Sequence, residues 1–390
     1  MADNLTREYL KFIDDELNRL WRLGRNAMVG WSPTDVGLEV LFVPQYLLPN
    51  LFSNHEDILL GATLRTKSEL RGIADICEIE PYTITVPKDL HTAAVGERSL
   101  EYLTKRFSIS KIRNQAVILI DIVGFSQYPP LEQVTLLNSL SYSINVAFQR
   151  AQEHGVKISL SHSTTGDGFY VWNNASSLEG NLDLFSFLML LLAENSLGRR
   201  SGIVSTIPEL RSGFHIGECF EYYQAEGARP GTSSYIVGDV TIQLARMIEK
   251  AIPNQILIGD FDVHANSFLS VGDNSPNYNA PRFLASSQER LKVFEDVTLS
   301  REKVKSIMCY LTGHKENDAT YNVSRYTISD KHGFEHSVYN AKVNVHRQNG
   351  EIFLGRQTQD LDGFDAEELT TPPQPPANSS TDPSNANAVV

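Results

Sequence analysis

The sequence predicts an α+β protein whose centre is a split βαβ, ferredoxin-like core. Three observations carry this. "AVILIDIV" (116–123) is nearly all apolar and reads as a strand buried on both faces. The periodicities that follow run helix, hairpin, helix, strand, helix, strand, so the order is β-α-β-β-α-β, then α-β. The hairpin turn "TTGDG" sets one aspartate between two glycines at the middle of that order.

The elements follow in chain order. Residues 5–24 carry Leu10, Phe12, Ile13, Leu17, Leu20 and Trp21 at helical spacing and predict one amphipathic helix. Residues 28–110 mix short apolar runs with Pro and Gly and assign themselves to no element. After the 116–123 strand, residues 131–155 predict a long helix ending in Gly155. "VKISLSH" and "FYVWN" flank the turn as two strands, and 181–195 is a second, buried helix. A strand over 209–223, a helix over 240–251 and strands over 255–261 and 305–313 complete the core. Residues 320–356 are β-rich. The tail 370–390 is rich in Pro, Asn and Ser, lacks aromatics and predicts disorder. The domains expected are an N-terminal helical and mixed region (1–110), a core (111–313), a small β-rich C-terminal domain (314–358) and a tail (359–390).

Composition excludes several classes. A net charge of −13 with scattered basic residues argues against a nucleic-acid footprint, which needs clustered Lys and Arg. It does not exclude one nucleotide. Cys77, Cys219 and Cys309 form no CxxC pair, so neither a disulfide framework nor a zinc knuckle is expected. The first residues are charged throughout, unlike a secretory signal. "LFSFLMLLLA" is too short to span a bilayer. The expectation is a cytoplasmic protein with no membrane insertion.

Chemistry concentrates on two carboxylates. Asp121 ends a buried strand, where a carboxylate is costly unless paired or metal-bound. The strand order sets Asp121 beside Asp167, and two converging carboxylates repel unless a divalent cation lies between them. Carboxylate and backbone carbonyl are the hard ligands that Mg²⁺ or Mn²⁺ prefers. The "VGFS" turn after Asp121 can offer N–H groups to phosphate oxygens. Each motif alone has an ordinary structural explanation; their combination in this order points to a two-metal phosphate site.

Here the sequence resembles the class III nucleotidyl cyclases. "LIDIVGFS" and "TTGDGFYVW" are similar to that family's two metal-aspartate motifs. "LRSGFHIGEC" (210–219) is similar to its R-x-G-x-H-x-G strand, and "YIVGDVTIQLARM" (235–247) to its G-x-x-x-N-x-A-x-R helix. The resemblance implies a nucleoside triphosphate substrate and two Mg²⁺ or Mn²⁺ ions held by Asp121, Asp167 and the Ile122 carbonyl. It also implies attack of the ribose 3′-hydroxyl on the α-phosphate, with pyrophosphate leaving. Arg246 would match the transition-state arginine, and Phe125 and Ser126 would give backbone contacts to phosphate. With one such domain in the chain, a homodimer with sites at the interface is implied.

Three positions depart from the family. Ile242 replaces the catalytic asparagine, and a helix turns the adjacent Gln243 away by about 100°. Ser163 stands where Lys or Glu reads a purine, and Tyr235 where Asp or Cys does. Serine cannot reproduce that bonding, and a tyrosine shrinks the base pocket, which suits a pyrimidine. The combination resembles the Pycsar pyrimidine cyclases, antiviral enzymes of bacteria that make cyclic UMP or cyclic CMP. Their product would be read by a separate cyclic-nucleotide-responsive effector. The segment from "YTISD" to "EIFLG" resembles the AGS-C sensor domain attached to such enzymes. The resemblance thus implies a pyrimidine cyclase, with UTP ahead of CTP. A purine cyclase with an unorthodox pocket and an inactive nucleotide-binding regulatory module stay open. Of the remaining candidates, His215 and Cys219 read as core residues, and Lys303 and Lys305 equally as triphosphate ligands or as solvated charges.

Overall fold

The computed structural model describes residues 2–91, 93, 95–200, 206–226, 231–263, 278–299, 301–315, 321–361 and 364–368. The tail expected to be disordered, 370–390, lies outside these residues. The chain is a mixed α+β protein. It divides into two units, Met1–Arg113 with Glu218–Gly238, and Asn114–Gly217 with Asp239–Val390.

The first unit begins with α1 (Ala2–Trp21), β1 (Asn26–Thr34), β2 (Gly37–Pro44), α2 (Leu48–Phe52), α3 (Lys67–Cys77), β3 (Tyr82–Thr85) and α4 (Glu97–Lys105). The three strands form one antiparallel sheet in the order β1-β2-β3. Ile13, Leu17 and Trp21 of α1 share a core with Met28, Trp31 and Val40. Ala27, Val29, Leu41 and Val43 share another with Leu70, Ile73 and Ala74 of α3. Strands β1 and β2 are therefore apolar on both faces. A sheet buried on two sides loses the two-residue alternation by which sequence announces a strand. That is why 28–110 resisted assignment. Thr66 and Glu69 close a reciprocal capping box at the start of α3.

The long strand β4 (Ile109–Ile122) leads into the second unit, which continues with α5 (Pro130–Glu153), β5 (Leu160–Thr164), β6 (Gly168–Asn173), α6 (Leu178–Arg200) and β7 (Leu210–Glu226). The far end of β7 returns to the first unit and pairs with β8 (Gly231–Val237), a hairpin the sequence reading did not separate from the helix after it. Next come α7 (Asp239–Lys250), β9 (Ile256–Gly259), β10 (Asp262–Val263), β11 (Tyr278–Asn279), α8 (Ala280–Leu291) and β12 (Thr298–Leu299). The chain closes with β13 (Glu302–Leu311), β14 (Gly313–Lys315), β15 (Tyr321–Ser329), β16 (Glu335–Arg347), β17 (Gly350–Gly355) and β18 (Asp365–Glu368).

The central sheet runs β12-β13-β16-β9-β7-β4-β6-β5. The β4-α5-β5-β6-α6-β7-α7-β9 portion has the expected split βαβ order, with the β5–β6 hairpin antiparallel beside β4. Strand β16 pairs with β9 on one edge and β13 on the other, so residues expected in a small C-terminal domain contribute directly to the sheet. Alternation along β4 and β7 sorts the two faces. Ile118, Ile120, Ile122, Leu210, Phe214 and Ile216 enter one core with α5, α6 and α8. On the other face, a Cβ at Gly213 or Gly217 would meet Leu244 or Val240, so α7 packs there.

Phe214 is fully buried, with its ring centroid 5.0 Å from Phe185 and 5.4 Å from Phe283. Phe214→Ala should therefore cost about 3–5 kcal/mol of unfolding free energy in urea titration. A loss under about 1 kcal/mol would show that α6 and α8 do not depend on this cluster.

Candidate active site

The site begins with backbone register. Asp121 pairs with Gly168, and the Ile122 N–H donates to the Asp167 carbonyl at 3.0 Å. The end of β4 thus holds the β5–β6 turn directly. Within the turn, the Gly166 N–H donates to Thr164 Oγ1 at 3.1 Å and the Thr165 N–H to the Gly168 carbonyl at 3.0 Å. Gly166 has φ +101°, a region that L side chains rarely adopt. At Gly168 a Cβ would sit 2.0 Å from the Ile120 carbonyl oxygen, so only glycine lets the strands approach this closely. The two glycines that read as turn chemistry are conditions for bringing Asp167 to Asp121.

The backbone register makes Asp121 and Asp167 neighbours, and the Asp121 carboxyl feels the Asp167 charge. Asp121 is 6% exposed. Burial raises its pKa, and the neighbouring Asp167 charge adds to the rise; the Arg211 guanidinium works against both. Arg211 Nε donates to Asp121 Oδ2 at 2.6 Å, and its Nη1 donates to the Ala251 carbonyl at 3.0 Å. Thr165 Oγ1 donates to Asp167 Oδ1 at 3.3 Å. Sequence reasoning quoted Arg211 inside a motif and gave it no role. Arg211 sits on the face of β7 that faces away from the Leu210 and Phe214 core, beside the end of β4.

Phe125 and Ser126 lie in a single 3-10 turn, Phe125–Gln127, directly after β4. Gln133 Nε2 secures this turn by donating to the Phe125 and Tyr128 carbonyls at 3.3 and 2.9 Å. Ser163 is half-buried on β5 opposite Tyr170, whose hydroxyl donates to the Thr241 carbonyl at 3.1 Å. Tyr235 belongs to the first unit, on β8 opposite Tyr222, with the two rings stacked at 5.8 Å. Ile242 is 53% exposed on α7.

Arg246 is not gathered to the carboxylate pair. Its Nη1 lies 3.4 Å from Glu249 and its Nε 3.2 Å from Asp330, in the turn between β15 and β16. Burial opposes ionisation of Asp330, but the N–H groups of Phe334 and His332, then His336 and Arg246, outweigh it and hold its carboxyl below the usual range. Asp330 is a partner of Arg246 that no sequence signal marked.

The other candidates fall into place. His215 is buried and held neutral, its pKa lowered to about 4 by burial, and it packs against Gly259. Its Nδ1 has no hydrogen-bond partner among the described residues. Burial pushes the Cys219 thiol up to about 12, as befits a small core residue. Lys303 and Lys305 are exposed on β13, separated from β4 by β16, β9 and β7.

Among the described residues no group of three or more His, Cys, Asp or Glu side chains gathers as a metal cage. The donors available are two adjacent carboxylates and a backbone carbonyl. Such a set is chemically suited to a hard divalent cation, which would relieve the Asp121–Asp167 repulsion.

Among the described residues no helix is long and apolar enough to cross a membrane. No protein-family model matches the chain, and no curated protein matches it in sequence. Solved structures similar to it include the adenylyl cyclase CyaB from P. aeruginosa, at 16% identity over 60% of this chain and 95% of that one, with a TM-score of 0.35. Another is the guanylate cyclase domain of RhGC from Catenaria anguillulae in complex with GTP, at 12% identity, 61% and 98% coverage and a TM-score of 0.35. Adenylate cyclases from Trypanosoma brucei match at 12% identity, 66% and 95% coverage and a TM-score of 0.32.

Because its carboxyl is raised above 3.8, Asp121 contributes stability that is full below that pH and is lost as pH rises through the folded value. Arg211→Gln should raise that carboxyl further. The stability gap between wild type and Arg211→Gln should then widen between about pH 4 and about pH 8 in chemical denaturation. An equal gap at both pH values would mean that Arg211 acts only through Ala251 and not on the charge of Asp121.

Proposed function

We propose that the chain is a nucleotide cyclase that closes a pyrimidine nucleoside triphosphate, UTP ahead of CTP, to the 3′,5′-cyclic nucleotide and pyrophosphate. The observation that supports this most is the convergence of Asp121 and Asp167 at the end of β4. Two Mg²⁺ or Mn²⁺ ions would be held by Asp121, Asp167 and the Ile122 carbonyl. Bound there, they would lower the pKa of the ribose 3′-hydroxyl and neutralise phosphate charge. The turn at Phe125 and Ser126 would present N–H groups to the phosphates. Arg211 keeps Asp121 oriented and favours its ionised form, which a ligand for a cation must have.

Arg246 would stabilise charge on the α-phosphate as the hydroxyl attacks in line. Its contacts within one chain are Glu249 and Asp330, which supports a homodimer in which each protomer completes the other's site. Asp330 must then release Arg246, so the turn after β15 would influence turnover. Ser163 would meet the base, and the family resemblance gives Tyr235 the same task. Serine brings neither the cation nor the carboxylate that selects a purine, and this supports a small pyrimidine ring. We assign residues 111–313 to the cyclase core, 314–358 to an AGS-C-like sensor, and the product to a separate cyclic-nucleotide-responsive effector in bacterial antiviral defence, within the cytoplasm.

A second reading, an inactive nucleotide-binding module, is favoured by one observation. Ile242 exposes an apolar side chain where a cyclase would orient the ribose.

Pure protein incubated with each of the four nucleoside triphosphates and Mn²⁺ should yield cyclic UMP or cyclic CMP by mass spectrometry. Cyclic AMP or cyclic GMP would overturn the pyrimidine assignment. Retained nucleotide binding without product would establish the inactive module. Asp121→Ala and Asp167→Ala should each lower the rate at least about 100-fold. Mixing Asp121→Ala with Arg246→Ala should restore product, because a mixed dimer keeps one complete site; no restoration would refute the shared-site dimer.

A further inference from the structure

A cavity lies on the face of the sheet opposite the carboxylate pair, and nothing in the proposed cyclase chemistry uses it. It has a volume of about 430 Å³, within the range of small-molecule sites. The end of α6, the start of β7, the segment before β9 and the end of β17 enclose it. Alternation on β7 separates it from the carboxylate pair. Arg211 points to Asp121, while its neighbour Ser212 lines the cavity on the side of the α6 core.

Its chemistry is specific. Arg199, Arg200 and Arg356 line it, and among the described residues no carboxylate side chain does. Arg199 lies 3.5 Å from Glu209 outside the cavity and donates to Asn254 at 3.3 Å. Arg356 Nε donates to the Pro253 carbonyl at 2.7 Å, which fixes its guanidinium plane. Two arginines in the last turn of α6 have a plain explanation, since cations complement a helix C-terminus. That explanation does not reach two further side chains. Asn195 Nδ2 and Ser212 Oγ are buried without a hydrogen-bond partner, in residues only 6% and 0% exposed, and both residues line the cavity. A buried polar group left unpaired costs about 1–3 kcal/mol, and these two lie just behind the cavity wall, closed to it in this side-chain arrangement. At the rim stands Phe353, an aromatic ring 53% exposed on β17.

We propose that this cavity binds a phosphorylated small molecule of mononucleotide size. Its phosphate lies among the three guanidinium groups, and its ring stacks on Phe353. Guanidinium forks match phosphate oxygens in pairs, which is the strong form of such recognition. The site stands whether or not the chain is a cyclase.

Isothermal titration calorimetry in EDTA, with UMP and with inorganic pyrophosphate as probes, tests it. Both should bind the wild type, and both should bind Asp121→Asn equally well. Arg200→Gln, at an exposed position, should weaken both by about tenfold or more. Phe353→Ala should weaken UMP and leave pyrophosphate unchanged. Arg356→Lys, which keeps the charge but not the fork, should weaken both while the protein stays folded by circular dichroism. Failure of both probes to bind, or binding unaffected by Arg200→Gln, would overturn the site. Loss of binding in Asp121→Asn would place the ligand at the carboxylate pair instead. UMP binding that survives Phe353→Ala unchanged would overturn the ring contact and with it the nucleotide class.

Discussion

Two carboxylates that repel are held together by the backbone beneath them. The Ile122 N–H bonds to the Asp167 carbonyl, and Asp121 pairs in register with Gly168, so the turn between β5 and β6 cannot withdraw from the end of β4 without breaking the ladder. The close approach depends on Gly168 lacking a Cβ. Much else follows. A buried Asp121 beside a second carboxylate needs a counter-charge, and Arg211 supplies one at 2.6 Å. Arg211 in turn reaches the Ala251 carbonyl, which ties the pair to the end of α7.

The two faces of β7 do different work because successive residues point in opposite directions. Leu210, Phe214 and Ile216 build the core with α6 and α8, and Ser212 lies buried in the wall of the arginine-lined cavity. On the other face, Arg211 meets Asp121, and Gly213 and Gly217 let α7 lie close. A Cβ at Gly217 would crowd Val240 at 3.2 Å, and one at Gly213 would need the end of the Leu244 side chain to give. One strand therefore supports a carboxylate pair on one side and an arginine-lined cavity on the other.

The C-terminal strands are part of this framework. Strand β16 pairs with both β9 and β13, and the turn that precedes it carries Asp330 to Arg246. The carboxylate at 330 is stabilised by two backbone N–H groups before Arg246 is counted. It is a strong competitor for that guanidinium.

Local chemistry alone determined a good deal of this protein. Apolar runs, helical spacing and a glycine-flanked aspartate gave the β-α-β-β-α-β order and put Asp121 and Asp167 at one edge, since strand pairing follows from period and order. Helical spacing marked α1, but residues 28–110 were not legible in the same way, because β1 and β2 are buried on both faces and show no alternation. Tertiary structure decided the rest. Contacts between residues distant in sequence leave no periodic trace, so neither Arg211 on Asp121 nor Asp330 on Arg246 was marked. The cavity at Asn195, Ser212 and Arg356 gathers residues from four separate segments. Only the packing of α6 and β17 against one end of the sheet brings them together.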